Sequence, residues 1–182
     1  MTAMDVEHVI TDAGELIDYL LDDQPDYSCD ELMTLLGRVG RNAGPAVVVS
    51  LYYEGLLDRH HAVVVVPDVW SGVEFPLVAL ERSDWRALFA FAGYTHNGRR
   101  RGRPRLPRTL YRGADEAHRD GWSWTDDRAQ ADWFTDRSIH REPGRVWRAT
   151  VEPWRLLARI TEGRGESEYV VDTDGLTITP AV

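Results

Sequence analysis

The 182 residues predict an α+β protein: a helical N-terminal lobe packed on a compact, twisted β-core. Three observations lead there. Apolar residues recur at helical spacing up to about residue 93. From Thr109 onward, short alternating runs separated by turns replace that pattern. Between the two, residues 99–108 are rich in Arg, Pro and Gly, as a linker or surface loop is. The expected division is therefore 1–98 for the lobe, 99–108 for the loop and 109–182 for the core. A hydrophobic fraction of 43% with seven Trp is enough to build one domain with an accessory lobe.

In the lobe, Val6, Val9, Ile10, Ala13, Ile17, Leu20 and Leu21 fall three and four apart, as on one face of an amphipathic helix. Ser28 followed by Glu31 spells a capping box that opens a second helix through Leu32, Leu35, Leu36 and Val39, with Gly40 and Gly44 as breakers. Pro45 can start a third element through Leu57. Its Val47–Val49 run also suits a strand, and length favours a helix. His60-His61 lead into Val63–Val66, a segment whose type stays open. Ser83 is expected to cap a helix carrying Trp85, Leu88, Phe89 and Phe91, which Gly93 ends.

In the core, Leu110-Tyr111-Arg112-Gly113 suits a strand end and turn, and Trp122 to Thr125 alternates like a strand. Asp126 or Asp127 can cap a short helix with Ala129, Ala131, Trp133 and Phe134. Residues 144–151 form a strand with Val146, Arg148 and Thr150 on one face and Trp147, Ala149 and Val151 on the other. Residues 154–160 are expected to be buried. Glu166–Val171 reads as a strand after the loop Glu162–Gly165, and Asp174-Gly175 as a hairpin turn with Leu176–Ile178 returning.

Charge is unevenly distributed. All ten acidic residues up to Glu31 precede the first basic residue, Arg38, so the net charge of −9 belongs to the first helices. Every basic side chain except His is Arg. The lack of Lys excludes a Walker-type phosphate loop and a Schiff-base lysine. Cys29 stands alone, which excludes an internal disulfide; the acidic residues around it would raise its thiol pKa and make it a poor nucleophile. The start of the chain lacks a basic-then-apolar signal pattern and no apolar run reaches membrane-spanning length, so a cytoplasmic protein with no membrane partner is expected. The histidines show no metal spacing, Asp115-Glu116-Ala117-His118 lacks the phosphate loop that would make it a helicase box, and Asp172-x-Asp174-Gly175 lacks further calcium ligands.

The stretch with the most chemistry is Glu166-Ser167-Glu168. On a strand, the two carboxylates point one way and Ser167 the other, so one can steady developing positive charge while the other accepts a proton. A solvent-exposed strand start explains the same pattern blandly. Tyr111-Arg112-Gly113, then Ser123-Trp124-Thr125, then Glu-x-Glu heading an apolar strand resembles the mono-ADP-ribosyltransferases built on an Arg–Ser–Glu triad. The wording between them is similar to small transferase-like domains of bacterial and phage proteins, over about Leu110 to Asp172. Trp124 stands where many relatives have a smaller residue, and the spacing from Arg112 to Glu168 is compact for the family.

The resemblance implies a β-core of ADP-ribosyltransferase type, NAD as substrate, no metal, and a protein arginine as acceptor. Under it Arg112 would hold the pyrophosphate, since guanidinium binds phosphate oxygens bidentately. Ser123 would fix the nicotinamide ribose and orient Glu168, and Tyr111, Gly113 and Thr125 would join the NAD site. Glu168 would bond the ribose 2′-hydroxyl and steady an oxocarbenium-like state, and Glu166 would face the acceptor. Trp124, Trp133 and Phe134 are stacking candidates for nicotinamide, against the plainer reading of buried aromatics. The loop from Thr161 to Gly165 would present the acceptor. NAD hydrolysis is the enzymatic alternative. The non-enzymatic one is a DNA-binding or docking protein that uses residues 99–108, whose Arg101-Gly102-Arg103-Pro104 resembles an AT-hook; a basic surface loop is the plainer account of that segment.

Overall fold

A computed structural model describes residues 10–23, 26–136, 143–162 and 167–181. It divides into two units, Met1–Phe91 and Ala92–Val182. Seven helices and two sheets lie among the described residues, an α+β architecture. None of those helices is long and apolar enough to cross a membrane.

The first unit is helical. In α1 (Ala13–Asp22), Asp12 Oδ1 accepts from the Gly14 and Glu15 amides, and the buried side chains are Leu16 and Leu20. Ile17 and Leu21 stay partly exposed, and Val6 and Val9 lie outside the described residues. α2 (Cys29–Val39) carries the expected capping box: the Glu31 amide donates to Ser28 Oγ at 3.3 Å and the Ser28 amide to Glu31 Oε2 at 2.8 Å. The two ambiguous segments are both helices, α3 (Gly44–Tyr53) and α4 (Arg59–Gly72), and α4 continues through the buried Pro67. A four-residue helix, α5 (Pro76–Ala79), had no clear signal in the sequence. In α6 (Arg82–Ala92) the Glu81 carbonyl already accepts from the Asp84 and Trp85 amides, so Ser83 sits inside the first turn and is not its cap. Gly93, at φ 79°, ends this helix as expected. Trp70 meets Trp85 edge-on at 5.0 Å, and both are buried.

The second unit holds the strands β1 (Thr95–His96), β2 (Arg99–Arg100), β3 (Arg108–Ala114), β4 (Ser123–Trp124), β5 (Arg145–Val151), β6 (Leu156–Ile160), β7 (Glu168–Val171) and β8 (Thr179–Pro180), with α7 spanning Arg128–Thr135. One sheet runs β2-β1-β6-β7-β4 and the other β3-β5-β8. Trp124 and Tyr169 from the first sheet share a buried cluster with Leu110, Trp147, Ala149 and Val151 from the second. Of the alternation expected for residues 144–151, burial follows it from Trp147 to Val151, while Val146 is buried as well.

Three expectations need correcting. Asn97-Gly98 closes a hairpin with both residues at positive φ, 50° and 65°, as a type I′ turn requires. Because β1 then pairs in parallel with β6, this hairpin, including Arg99 and Arg100, belongs to the β unit. Residues 154–160 are not buried throughout: Trp154 is 63% exposed under the Arg155 guanidinium, and the buried part starts with Leu156. The Asp174-Gly175 turn does form, with the Leu176 amide donating to Thr173 at 2.9 Å, but no strand returns beside β7. β7 already has β6 and β4 as neighbours, so Thr179–Pro180 pairs with β5 in the other sheet.

Gly113 sets how closely α7 lies on β3. A Cβ there would stand 2.0 Å from the Ala131 carbonyl oxygen, a backbone atom that cannot step aside alone. Gly113→Ala is expected to destabilise the second unit by about 1–3 kcal/mol, as overpacking does. The readout is a lower urea midpoint by tryptophan fluorescence; an unshifted midpoint would refute the close approach.

Candidate active site

The site grows from the pairing of β4 with β7. Ser123 faces Val170 and Trp124 faces Tyr169 across an antiparallel ladder. Continuing that register by one residue brings Thr125 opposite Glu168. Trp124 and Tyr169 turn to the core, so Ser123, Thr125 and Glu168 share the other face. Ser123 and Glu168 are diagonal neighbours on it, a relation that separates side-chain origins by about 7–8 Å. Both are half-buried. Glu166 and the expected acceptor-loop residues Gly163, Arg164 and Gly165 lie outside the described residues.

Arg112 reaches β4 from β3. Its Nε donates to the His118 carbonyl at 3.1 Å and one terminal nitrogen donates to the Ser123 carbonyl at 2.8 Å. Gly121 makes room for this: a Cβ there would stand 2.4 Å from the guanidinium. Arg112 thus staples the turn between β3 and β4 against the strand that carries Ser123. Within that turn the buried Asp115 accepts from the His118 amide at 2.9 Å and meets its Nδ1 at 2.7 Å, which makes residues 115–118 a capped turn.

The other expected site residues have definite structural work. Tyr111 and Thr125 exchange two backbone hydrogen bonds, of 2.7 and 2.8 Å, which tie the two sheets together. The Thr125 hydroxyl donates to Gln130 Oε1 at 2.8 Å and accepts from the Asp127 amide. Gly113 is the close-packing point under α7. Trp133 and Phe134 meet edge-on at 5.0 Å, and Trp133 is 48% exposed, while Trp124 is a core residue.

Two residues that sequence reasoning left out as site residues stand beside Glu168. Asp127 caps α7, accepting from the Ala129 amide at 2.9 Å, and this leaves Asp126 for β7. Asp126 accepts from Ser167 Oγ and from the Tyr169 hydroxyl, each at 3.1 Å. Gln130 Oε1 also accepts from the Ser167 amide at 3.3 Å. Both chain neighbours of Glu168 are therefore held, and because Tyr169 turns to the core from within β7, the Glu168 side chain leaves the strand on the other face. The only sequence signal was the doubled Asp126-Asp127, since one cap needs one aspartate. Burial pushes the Tyr169 phenol up and the charge of Asp126 adds to that, while the guanidiniums of Arg159 and Arg108 pull the other way. In the first unit burial raises the Cys29 thiol, with Asp58 and Asp30 adding, which fits a poor nucleophile. No family model, curated protein or solved structure matches the chain.

Two measurements test the Asp126 clamp. In a double-mutant cycle on stability, Asp126→Ala and Ser167→Ala should couple by about 0.5–3 kcal/mol, as contacting residues do, and simple additivity would contradict the contact. The second is alkaline stability. Tyr169 holds its proton to higher pH in the folded state than the ordinary phenol near 10, so its contribution is complete below about pH 10 and declines above it. Tyr169→Phe should flatten part of that decline; an unchanged alkaline limb would show that the burial of this phenol has no weight.

Proposed function

We propose that the second unit is a β-core of ADP-ribosyltransferase type that moves ADP-ribose from NAD to an arginine side chain of a protein, releasing nicotinamide. The observation that carries this reading is the β4–β7 pairing, which sets Ser123 and Glu168 on one face while Arg112 bonds the Ser123 carbonyl. Three residue types spread over more than half of the second unit's length converge on one strand pair.

The chemistry follows from the residues. NAD brings an N-glycosidic bond to a cationic pyridinium, which leaves as neutral nicotinamide with the bonding electron pair. Glu168 accepts the hydrogen bond of the ribose 2′-hydroxyl and faces the positive charge that builds on the sugar as that bond stretches. The Ser123 hydroxyl, donor and acceptor at once, orients the carboxylate or the ribose. Arg112 has its guanidinium plane set by two carbonyls, and in this reading its charge pairs with the pyrophosphate. Trp133, half-exposed on α7, is the aromatic face for nicotinamide. The acceptor guanidine forms the new bond to the sugar carbon and gives its proton to Glu166, a role that rests on the Glu-x-Glu spacing alone.

Purified protein incubated with labelled NAD and a cell lysate tests the proposal. Label should appear on protein and fall by about 10²–10³ in Glu168→Gln, the size of the loss when a preorganised charge stabiliser is removed. Glu166→Ala should reduce transfer more than nicotinamide release. Nicotinamide release with no labelled protein would replace transfer by NAD hydrolysis. Absence of both NAD binding and turnover would overturn the reading.

A further inference from the structure

At one end of the second unit's core, three guanidiniums meet two tyrosine rings. Arg108, at the start of β3, lies 5.8 Å from the centre of the Tyr169 ring, and Arg159, on β6, lies 5.0 Å from the same ring. Arg103 lies 5.9 Å from the Tyr94 ring and donates through Nε to the Leu156 carbonyl at 2.9 Å. Among the described residues the carboxylate that meets this group is Asp126, 3.7 Å from Arg159 and so beyond hydrogen-bond length, with both oxygens already accepting from Ser167 and Tyr169. Arg159 Nε is buried with no hydrogen-bond partner among the described residues. Burial raises both phenols, so neither supplies a negative charge near neutral pH. Among the described residues, three like charges against one occupied carboxylate leave a net positive cluster, which favours an anion.

We infer that Arg103, Arg108 and Arg159 form a phosphate-binding cluster that seats the backbone of a nucleic acid. The polymer, as opposed to a lone small anion, is indicated by what adjoins the cluster. Residues 93–114 contain seven arginines and no carboxylate, whereas the rest of the second unit has nine arginines against fourteen carboxylates. Arg99, Arg100, Arg101 and Arg105 are all exposed along that stretch. A run of guanidiniums suits repeated phosphates, each taken bidentately. Residues 99–108 contain no aromatic side chain, so base stacking has no platform there. Arg103 is bonded into the fold, so Arg101–Pro104 is not a loose hook for the minor groove, and binding should ignore sequence. The chain's charge of −9 opposes binding at long range, but it is screened beyond about 10 Å at 0.1 M salt. The interaction is therefore local and strongly salt-dependent, and it is independent of the transferase reading.

Fluorescence anisotropy on the full chain tests this with two labelled duplexes, one A·T-rich and one G·C-rich. With Arg99, Arg101, Arg103, Arg105, Arg108 and Arg159 each taking a phosphate, the log–log slope of affinity on salt should be about −5.4, the same for both duplexes. Arg108→Gln and Arg159→Gln should each reduce the slope by about one, and so should the exposed Arg105→Gln, which has no packing role to lose. Glu168→Gln should bind like the wild type. No binding at 50 mM salt, on the order of the lower limit used for such slopes, would overturn the inference. So would a slope unchanged in folded Arg108→Gln and Arg159→Gln proteins. A·T preference would restore the hook, and equal competition by a polyglutamate peptide would make the partner an acidic protein; either result defeats the proposal.

Discussion

The second unit depends on a ladder of two residues. β4 is only Ser123–Trp124, and a strand that short has little stability of its own. It holds because several groups fix it from different directions. The Trp124 indole donates to the Gly121 carbonyl at 2.7 Å, Arg112 donates to Ser123, and the Val171 amide donates to Trp122 at 2.8 Å. Immediately after the strand, Thr125 is locked to Tyr111 of the other sheet. The strand is thus a junction between the two sheets, and whatever Ser123 and Glu168 do depends on that junction being rigid.

The same economy appears one turn later. Adjacent aspartates at 126 and 127 divide two tasks that a single residue could not perform, since an N-cap carboxylate must point along the helix and a clamp on β7 must point away from it. Strand alternation then makes the clamp informative about Glu168. Tyr169 meets the clamp from within β7, so Glu168, the next residue on that strand, starts from the opposite face.

Much of this was legible in the sequence because it is local. The capping box at Ser28, the positive-φ glycine after α6 and the alternation of residues 147–151 are set by neighbours a few positions apart. The Arg–Ser–Glu order was legible as an order, and the β4–β7 register supplies the adjacency that a linear reading lacks. What could not be read were pairings fixed by competition between distant elements. Leu176–Ile178 is apolar enough to return beside β7, and it does not, because both sides of β7 are taken. Asp126, Gln130 and the surroundings of Arg159 are likewise visible only once β6 and β7 lie beside the β4–α7 connection.

The lack of lysine has a structural consequence. Arg103, Arg112 and Arg155 each donate to main-chain carbonyls at strand ends or in turns; Arg112 spans two, at His118 and Ser123, and so does Arg155, at Asp172 and Asp174. A guanidinium can do this because it carries five donors in a fixed plane; an ammonium, with three donors on a flexible stem, would not hold two carbonyls in one geometry. Loops that make few backbone ladders are thereby satisfied from the side. Bonding a neutral carbonyl does not neutralise the cation, so each staple leaves its full charge on the unit. The residue type that satisfies these carbonyls is therefore also the one on which both proposals rest, the dinucleotide near Arg112 and the polymer across Arg108 and Arg159.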